Sequence, residues 1–285
     1  MENQKRLEDW IAINHKELGL SVTSLNWTKD NNLDFYDFYS TIQISNRVYQ
    51  GRGTSRIKNE AIIKSIVEAI ERVVCIDNNI HSNGVAAHTS IDMAKENAKN
   101  ELIERDNYLS HYLLNYKGKS INSDPRLNDL LEFLTNNYFS YEFKNVSLGS
   151  KFSMAFYATL NNTTYLGFGC SSSLYKAQEK ALFEALTKIS SALYKKIDNG
   201  HSSDKFKDLV NQKITSSNDI PIELKRLHSK SRLINSAPLY FYKATSKNCQ
   251  NLFQGKTTKN KINFLRLNSL LPDALNINFN PHPVG

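Results

Sequence analysis

Cysteine is scarce in this 285-residue chain: Cys75, Cys170 and Cys249 are widely scattered and odd in number. They form no disulfide framework and no metal-binding spacing, which points to a reducing compartment and to buried small hydrophobes rather than catalysts. No apolar run approaches the roughly 20 residues that a membrane helix needs. The opening MENQKRLEDW lacks the apolar stretch of a secretory signal, so the expectation is a cytoplasmic protein with no membrane partner. No block of five like charges occurs, and no nucleic-acid signature is present. The net charge of +8 is therefore read as solvating lysine, with no nucleic-acid partner. Also missing is any Cys–His or Ser–His spacing that would nominate an enzymic nucleophile.

What is present is a globular composition, 40% hydrophobic and 11% aromatic, long enough for a real core. Patterning predicts helices over 4–18, 59–74, 91–116, 127–135 and 174–196. The stretch 33–51 and the segment YFSYEFKNV are β-branched or aromatic and strand-like. MAFYATL and TTYLGFG form a hairpin turning at Asn161-Asn162, since Asn tolerates positive φ. LYFYKATS and INFLRLNS are expected as late strands, and 117–126 and 198–219 as polar connections. No composition shift separates two domains. Residues 1–50 read as a helix and strand segment belonging to the same domain as 51–285.

A pattern occurs three times without gaps, starting at Gly51, Gly84 and Gly167. Ten residues on come Ala61, Ala94 and Ala177; fourteen on, Ser65, Ala98 and Ala181; seventeen on, Glu68, Glu101 and Glu184. Then follow Glu71, Glu104 and Thr187, and beside them Arg72, Arg105 and Lys188. Seven-, four- and three-residue spacings share one helix face, so each segment is read as a glycine-rich turn leading to a helix with a small-residue stripe ending in carboxylates. Such turns can present amides to an anion. Paired carboxylates suit magnesium, which is held by one or two carboxylates and substrate phosphates. A single Glu-x-x-Glu-Arg is ordinarily a solvated face, and alanine stripes ordinarily pack on other elements; three aligned copies argue for a shared site. Most histidines read as structural or surface residues, and His88, just past Ser82-Asn83-Gly84, is the one to watch.

The segments GRGTSRIKNEAIIKSIVEAIER, SNGVAAHTSIDMAKENAKNELIERD, GFGCSSSLYKAQEKALFEAL and PHPVG, in this order, resemble the YcaO family. The resemblance implies an α/β (α+β) fold: one YcaO-like domain with antiparallel strands and layered helices around a three-helix carboxylate site. It implies ATP and Mg2+ as cofactors. Glu68, Glu71, Glu101 and Glu104 would hold the metal. Glu101, Arg105, Glu184, Ser82 and Asn83 would bind the nucleotide. The tail Pro281, His282, Pro283 and Gly285 would line the active site. The implied activity is that of an ATP-dependent cyclodehydratase making azolines from Cys, Ser or Thr of a ribosomal precursor peptide. Peptide thioamidation and a non-catalytic, peptide- or partner-binding scaffold are the alternatives. Expected partners are the precursor peptide, a leader-binding protein and a flavin dehydrogenase, in a hetero-complex or homodimer. Lys64, Thr187 and Gly285 depart from the family pattern, standing where serine, glutamine and proline are usual.

Overall fold

The computed structural model describes residues 2–195, 200–214, 219–250, 257–271, 277–278 and 280. In chain order the elements are α1 (Glu2–Asn14), β1 (Ser21–Ser24), α2 (Trp27–Asp30), β2 (Tyr36–Ile44), β3 (Arg47–Ser55), α3 (Lys58–Asp77), β4 (Val85–His88), α4 (Ile91–Leu113) and β5 (Lys119–Ile121). Then follow α5 (Asn128–Asn136), β6 (Ser140–Asn145), β7 (Phe152–Leu160), β8 (Thr163–Ser171), α6 (Leu174–Lys195), β9 (His201–Ser202), β10 (Glu223–Leu227), α7 (Arg232–Asn235), β11 (Tyr240–Thr245) and α8 (Phe264–Leu270). Every strand pairing within the sheets is antiparallel, and long helices lie against them, which is the α/β architecture expected.

The fold consists of two compact units, Met1–Lys99 with Ile222–Thr245, and Asn100–Pro221 with Ser246–Gly285. The first holds the sheets β1-β2-β3 and β10-β11-β4. Its core gathers Leu7, Ile42, Ile66, Ile70 and Val73 with Val85, Ala87 and Phe241. The second holds the sheet β5-β6-β7-β8-β9. There Tyr108 and Tyr112 of α4 pack on Ala155, Tyr157, Leu166 and Phe168 of β7 and β8. All three cysteines are buried, as expected.

The two units share one motif. The hairpin β2–β3 leads into α3 as the hairpin β7–β8 leads into α6, at one constant offset: Tyr36 recurs as Phe152, Arg47 as Thr163 and Lys58 as Leu174. Both hairpins turn on two residues with positive φ, Ser45-Asn46 and Asn161-Asn162. Residues 33–51, read as one strand-like stretch, are thus part of a complete hairpin.

Three readings need correction. Gly51 and Gly167 do not begin turns; they lie inside β3 and β8 with Gly53 and Gly169. Their role is close approach: a Cβ on Gly51 would stand 2.0 Å from the Ser65 carbonyl, and on Gly167 1.8 Å from that of Ala181. Of the three glycines that start the repeats, Gly84 alone takes the left-handed conformation, at φ +71°. INFLRLNS is not a strand. Asn263 caps a helix there, accepting the Arg266 N–H, and α8 buries Arg266, Leu267 and Leu270. The polar connection 117–126 contains β5, registered on β6 from Lys119 with Asn145 to Ile121 with Phe143.

Candidate nucleotide and metal site

In the first unit, Gly51 and Gly53 let the α3 backbone settle onto β3, with Ala61 and Ser65 as the contact. The small-residue stripe is therefore a strand-packing surface. One turn further, Glu68 meets the end of that contact. Its Oε2 accepts the backbone N–H of Arg52 at 2.8 Å and its Oε1 accepts from Arg72 Nη2 at 2.7 Å. Glu71 Oε1 accepts the N–H of Ala87 at 2.5 Å. A carboxylate that takes a backbone N–H is fixed in orientation, and such charge-assisted bonds contribute roughly 1.5–3 kcal/mol.

The second unit repeats the arrangement. Glu184 Oε2 accepts the N–H of Phe168 at 2.7 Å, and its Oε1 accepts from Lys188 Nζ at 3.0 Å. Lys180 Nζ donates to the Cys170 carbonyl at 3.2 Å, as Lys64 Nζ donates to that of Thr54 at 3.3 Å. Lys64 is therefore a helix-to-strand tie with a counterpart at Lys180, and Ser65 keeps the small position.

Glu104 and Arg105 of α4 complete this unit's cluster. Arg105 Nη1 lies 3.5 Å from Glu104 Oε1, and their side chains are 20% and 13% exposed. The Arg105 guanidinium also stands over the Phe168 ring, 5.5 Å from its centroid. Burial pushes Glu104 above the usual carboxylate range, with Arg105 and the Cys170 N–H acting against it and Glu184 adding to the rise. Burial also acts to raise Glu184, but Lys188, Arg105 and the Phe168 N–H bring it below its ordinary value. Arg105 is held above its own by Glu104, Glu184 and Glu101, which outweigh burial. Two neighbouring carboxylates are thus driven apart in pKa around one shared arginine.

Back in the first unit, Ser82 is exposed and Asn83 is buried, with 8% exposure. The Asn83 amide oxygen has no hydrogen-bond partner among the described residues. Lys243 of β11 donates to the carbonyls of His81 and Asn83. His88 is held below its ordinary pKa by burial, and its Nδ1 accepts the Ser90 N–H at 3.0 Å, which puts the proton of the neutral ring on Nε2. The tail Pro281, His282, Pro283 and Gly285 lies outside the described residues. Sequence reasoning missed Lys180 and Lys243. Lys64 and Lys180 occupy the same place after their glycines, a signal that was available; Lys243 has none.

Carboxylates anchored to backbone N–H groups, those of Glu68 and Glu184 also paired with cations, lie on antiparallel α/β units. A family model described as YcaO cyclodehydratase, ATP- and Mg2+-binding, matches residues 78–260, and the chain belongs to the YcaO family. The match begins after Glu68 and Glu71, so the first Glu-x-x-Glu stands outside it. Among solved structures, a YcaO protein from Methanopyrus kandleri bound with AMPPCP and Mg2+ superposes with a TM-score of 0.62 at 12% identity, over 87% of this chain and 91% of that one. A heterocyclase in complex with substrate and cofactor gives 0.65 at 10% identity, over 99% of this chain but only 57% of its own. These likenesses are of fold. No curated protein matches the chain by sequence.

The residues present fit ATP and magnesium. An orphaned buried amide oxygen at Asn83 calls for a donor that the described residues do not supply. Among the described residues no group of three or more His, Cys, Asp or Glu is assembled to hold a metal by side chains alone. Magnesium does not require one, because it takes one or two carboxylates and completes its shell with phosphate and water.

Proposed function

We propose that the chain is an ATP-dependent cyclodehydratase subunit acting on Cys, Ser or Thr of a ribosomally made precursor peptide. The observation that carries this is the Glu104–Arg105–Glu184 cluster, a half-buried charge arrangement with split carboxylate pKa values in a member of the YcaO family. The family model's description supports cyclodehydration over thioamidation and over a scaffold without activity.

In this reading the side chain of the peptide's Cys, Ser or Thr attacks the preceding backbone carbonyl, and the amide oxygen finally departs, with loss of one water overall. ATP supplies the phosphoryl group that makes that oxygen a leaving group. Glu68, Glu71, Glu101 and Glu104 are the candidate Mg2+ ligands, one or two of them serving an ion whose shell phosphate and water would complete, and the backbone N–H bonds keep Glu68 and Glu71 from swinging away. Arg105 and Glu184 orient the nucleotide, and Arg105 keeps the carboxylates from repelling one another. Ser82 and Asn83 bind it from their turn. The tail Pro281, His282, Pro283 and Gly285 lines the place where the peptide reacts. Catalysis of this kind depends on positioning and charge stabilisation. Precursor peptide, a leader-binding protein and, for oxidation to azoles, a flavin dehydrogenase are its partners.

Peptide-dependent release of ADP tests the reading. The reading expects release only with partner, peptide and Mg2+ together, and its loss in Glu104→Gln. Peptide bound tightly with no ATP consumed in the complete system would mean a scaffold instead.

A further inference from the structure

We propose that Lys243 is a positioning residue for nucleotide binding, holding the Ser82-Asn83-Gly84 turn in its binding shape; this rests on the nucleotide reading above. β11 pairs antiparallel with β4, which places Lys243 opposite Val85, the residue after the turn. The next residue, Ala244, donates its N–H to the Gly84 carbonyl at 2.8 Å. The Lys243 side chain folds toward the turn, where Nζ donates to the His81 carbonyl at 3.2 Å and to the Asn83 carbonyl. One ammonium thus takes two carbonyl oxygens on either side of Ser82.

The consequence is local and geometric. Drawing two carbonyls to one cation fixes the peptide planes between His81 and Ser82 and between Asn83 and Gly84 and, with Gly84 left-handed at φ +71°, leaves the turn little freedom. Lys243 engages backbone at Asn83, not its side chain, and the amide oxygen of that side chain stays buried without a partner among the described residues. Burying an unsatisfied acceptor is costly, so a fold that holds it there is preorganised for a donor: a hydroxyl or amino group of the nucleotide, or a water on its metal. Lys243 acts through the turn and touches no reacting atom.

The test is titration of Mg2+-AMPPCP into full-length protein. Lys243→Met keeps the stem and loses the donors; Lys243→Arg keeps a fork that reaches two carbonyls; Lys243→Gln keeps one short donor. We expect the dissociation constant to rise on the order of tenfold in Lys243→Met, as two charge-assisted bonds are lost, with Lys243→Arg within about threefold of wild type and Lys243→Gln between them. In turnover the ATP KM should rise while kcat at saturating ATP is kept, a split that general loosening would not give. Equal affinity in wild type and a folded Lys243→Met overturns the assignment, as does an arginine variant as weak as the methionine one. If Lys243→Met does not fold, the glutamine and arginine variants decide on the same terms. Wild-type protein that fails to bind Mg2+-AMPPCP overturns the nucleotide reading itself.

Discussion

Glu184 accepts the backbone N–H of Phe168 at 2.7 Å, as Glu68 accepts that of Arg52 at 2.8 Å in the other unit. The i+4 cation closes the second oxygen in both, Lys188 in one and Arg72 in the other. The latch is built wherever a Gly-x-Gly strand lets the helix backbone come down on it.

That dependence gives the first prediction. Gly167→Ala puts a Cβ 1.8 Å from the Ala181 carbonyl, a backbone atom that cannot swing aside. The expected cost is about 3 kcal/mol, at the upper end of ordinary overpacking. Denaturant unfolding checks it, and stability equal to wild type would contradict the packing.

Acid should disarm the site before it unfolds the protein. Glu104 is held above the usual carboxylate range by burial, so the folded protein takes up that proton more readily than the unfolded chain. Its protonation as the pH falls through the raised value neutralises a carboxylate proposed to hold the metal, without opposing folding. Glu184 lies below its ordinary value, so its contribution to stability is present above that ordinary pKa and lost only as the pH falls through the lowered one. Affinity for Mg2+-AMPPCP should therefore fall at a pH where circular dichroism is still native. Simultaneous loss of both would refute this ordering.

Arg105→Met should cost both stability and nucleotide affinity. It leaves Glu104 and Glu184 without their shared counter-charge, and for groups only partly buried the cost is about 2 kcal/mol, below that of a fully buried pair. Arg105→Lys restores the charge but not the fork, so it should recover more stability than affinity. Thermal melts and AMPPCP titrations separate the two.

Much of this was legible in sequence, and the reason is periodicity. The three helices and their carboxylates follow from spacing alone, and the Asn161-Asn162 hairpin from the backbone preference of Asn. The glycines were misread because their usual signal is positive φ, whereas Gly51 and Gly167 are extended and needed for what a side chain would strike. INFLRLNS was misread from its β-formers; the cue was the cap at Asn263. Lys243 could not be found, because nothing local links it to a turn 160 residues away.

Removal of residues 281–285 should abolish peptide modification while leaving Mg2+-AMPPCP binding within about threefold of wild type, or roughly 0.7 kcal/mol. Full modification by the truncated protein would remove the tail from the mechanism.

The mass of the precursor peptide tests the proposed ATP-driven cyclodehydration most directly. After incubation with the chain, its partner, Mg2+ and ATP, the peptide should lose one water for each modified Cys, Ser or Thr, with ADP formed in step, and nothing should change with Glu104→Gln in place. A gain in mass from replacing oxygen by sulfur, or an unaltered peptide alongside unspent ATP, would contradict it.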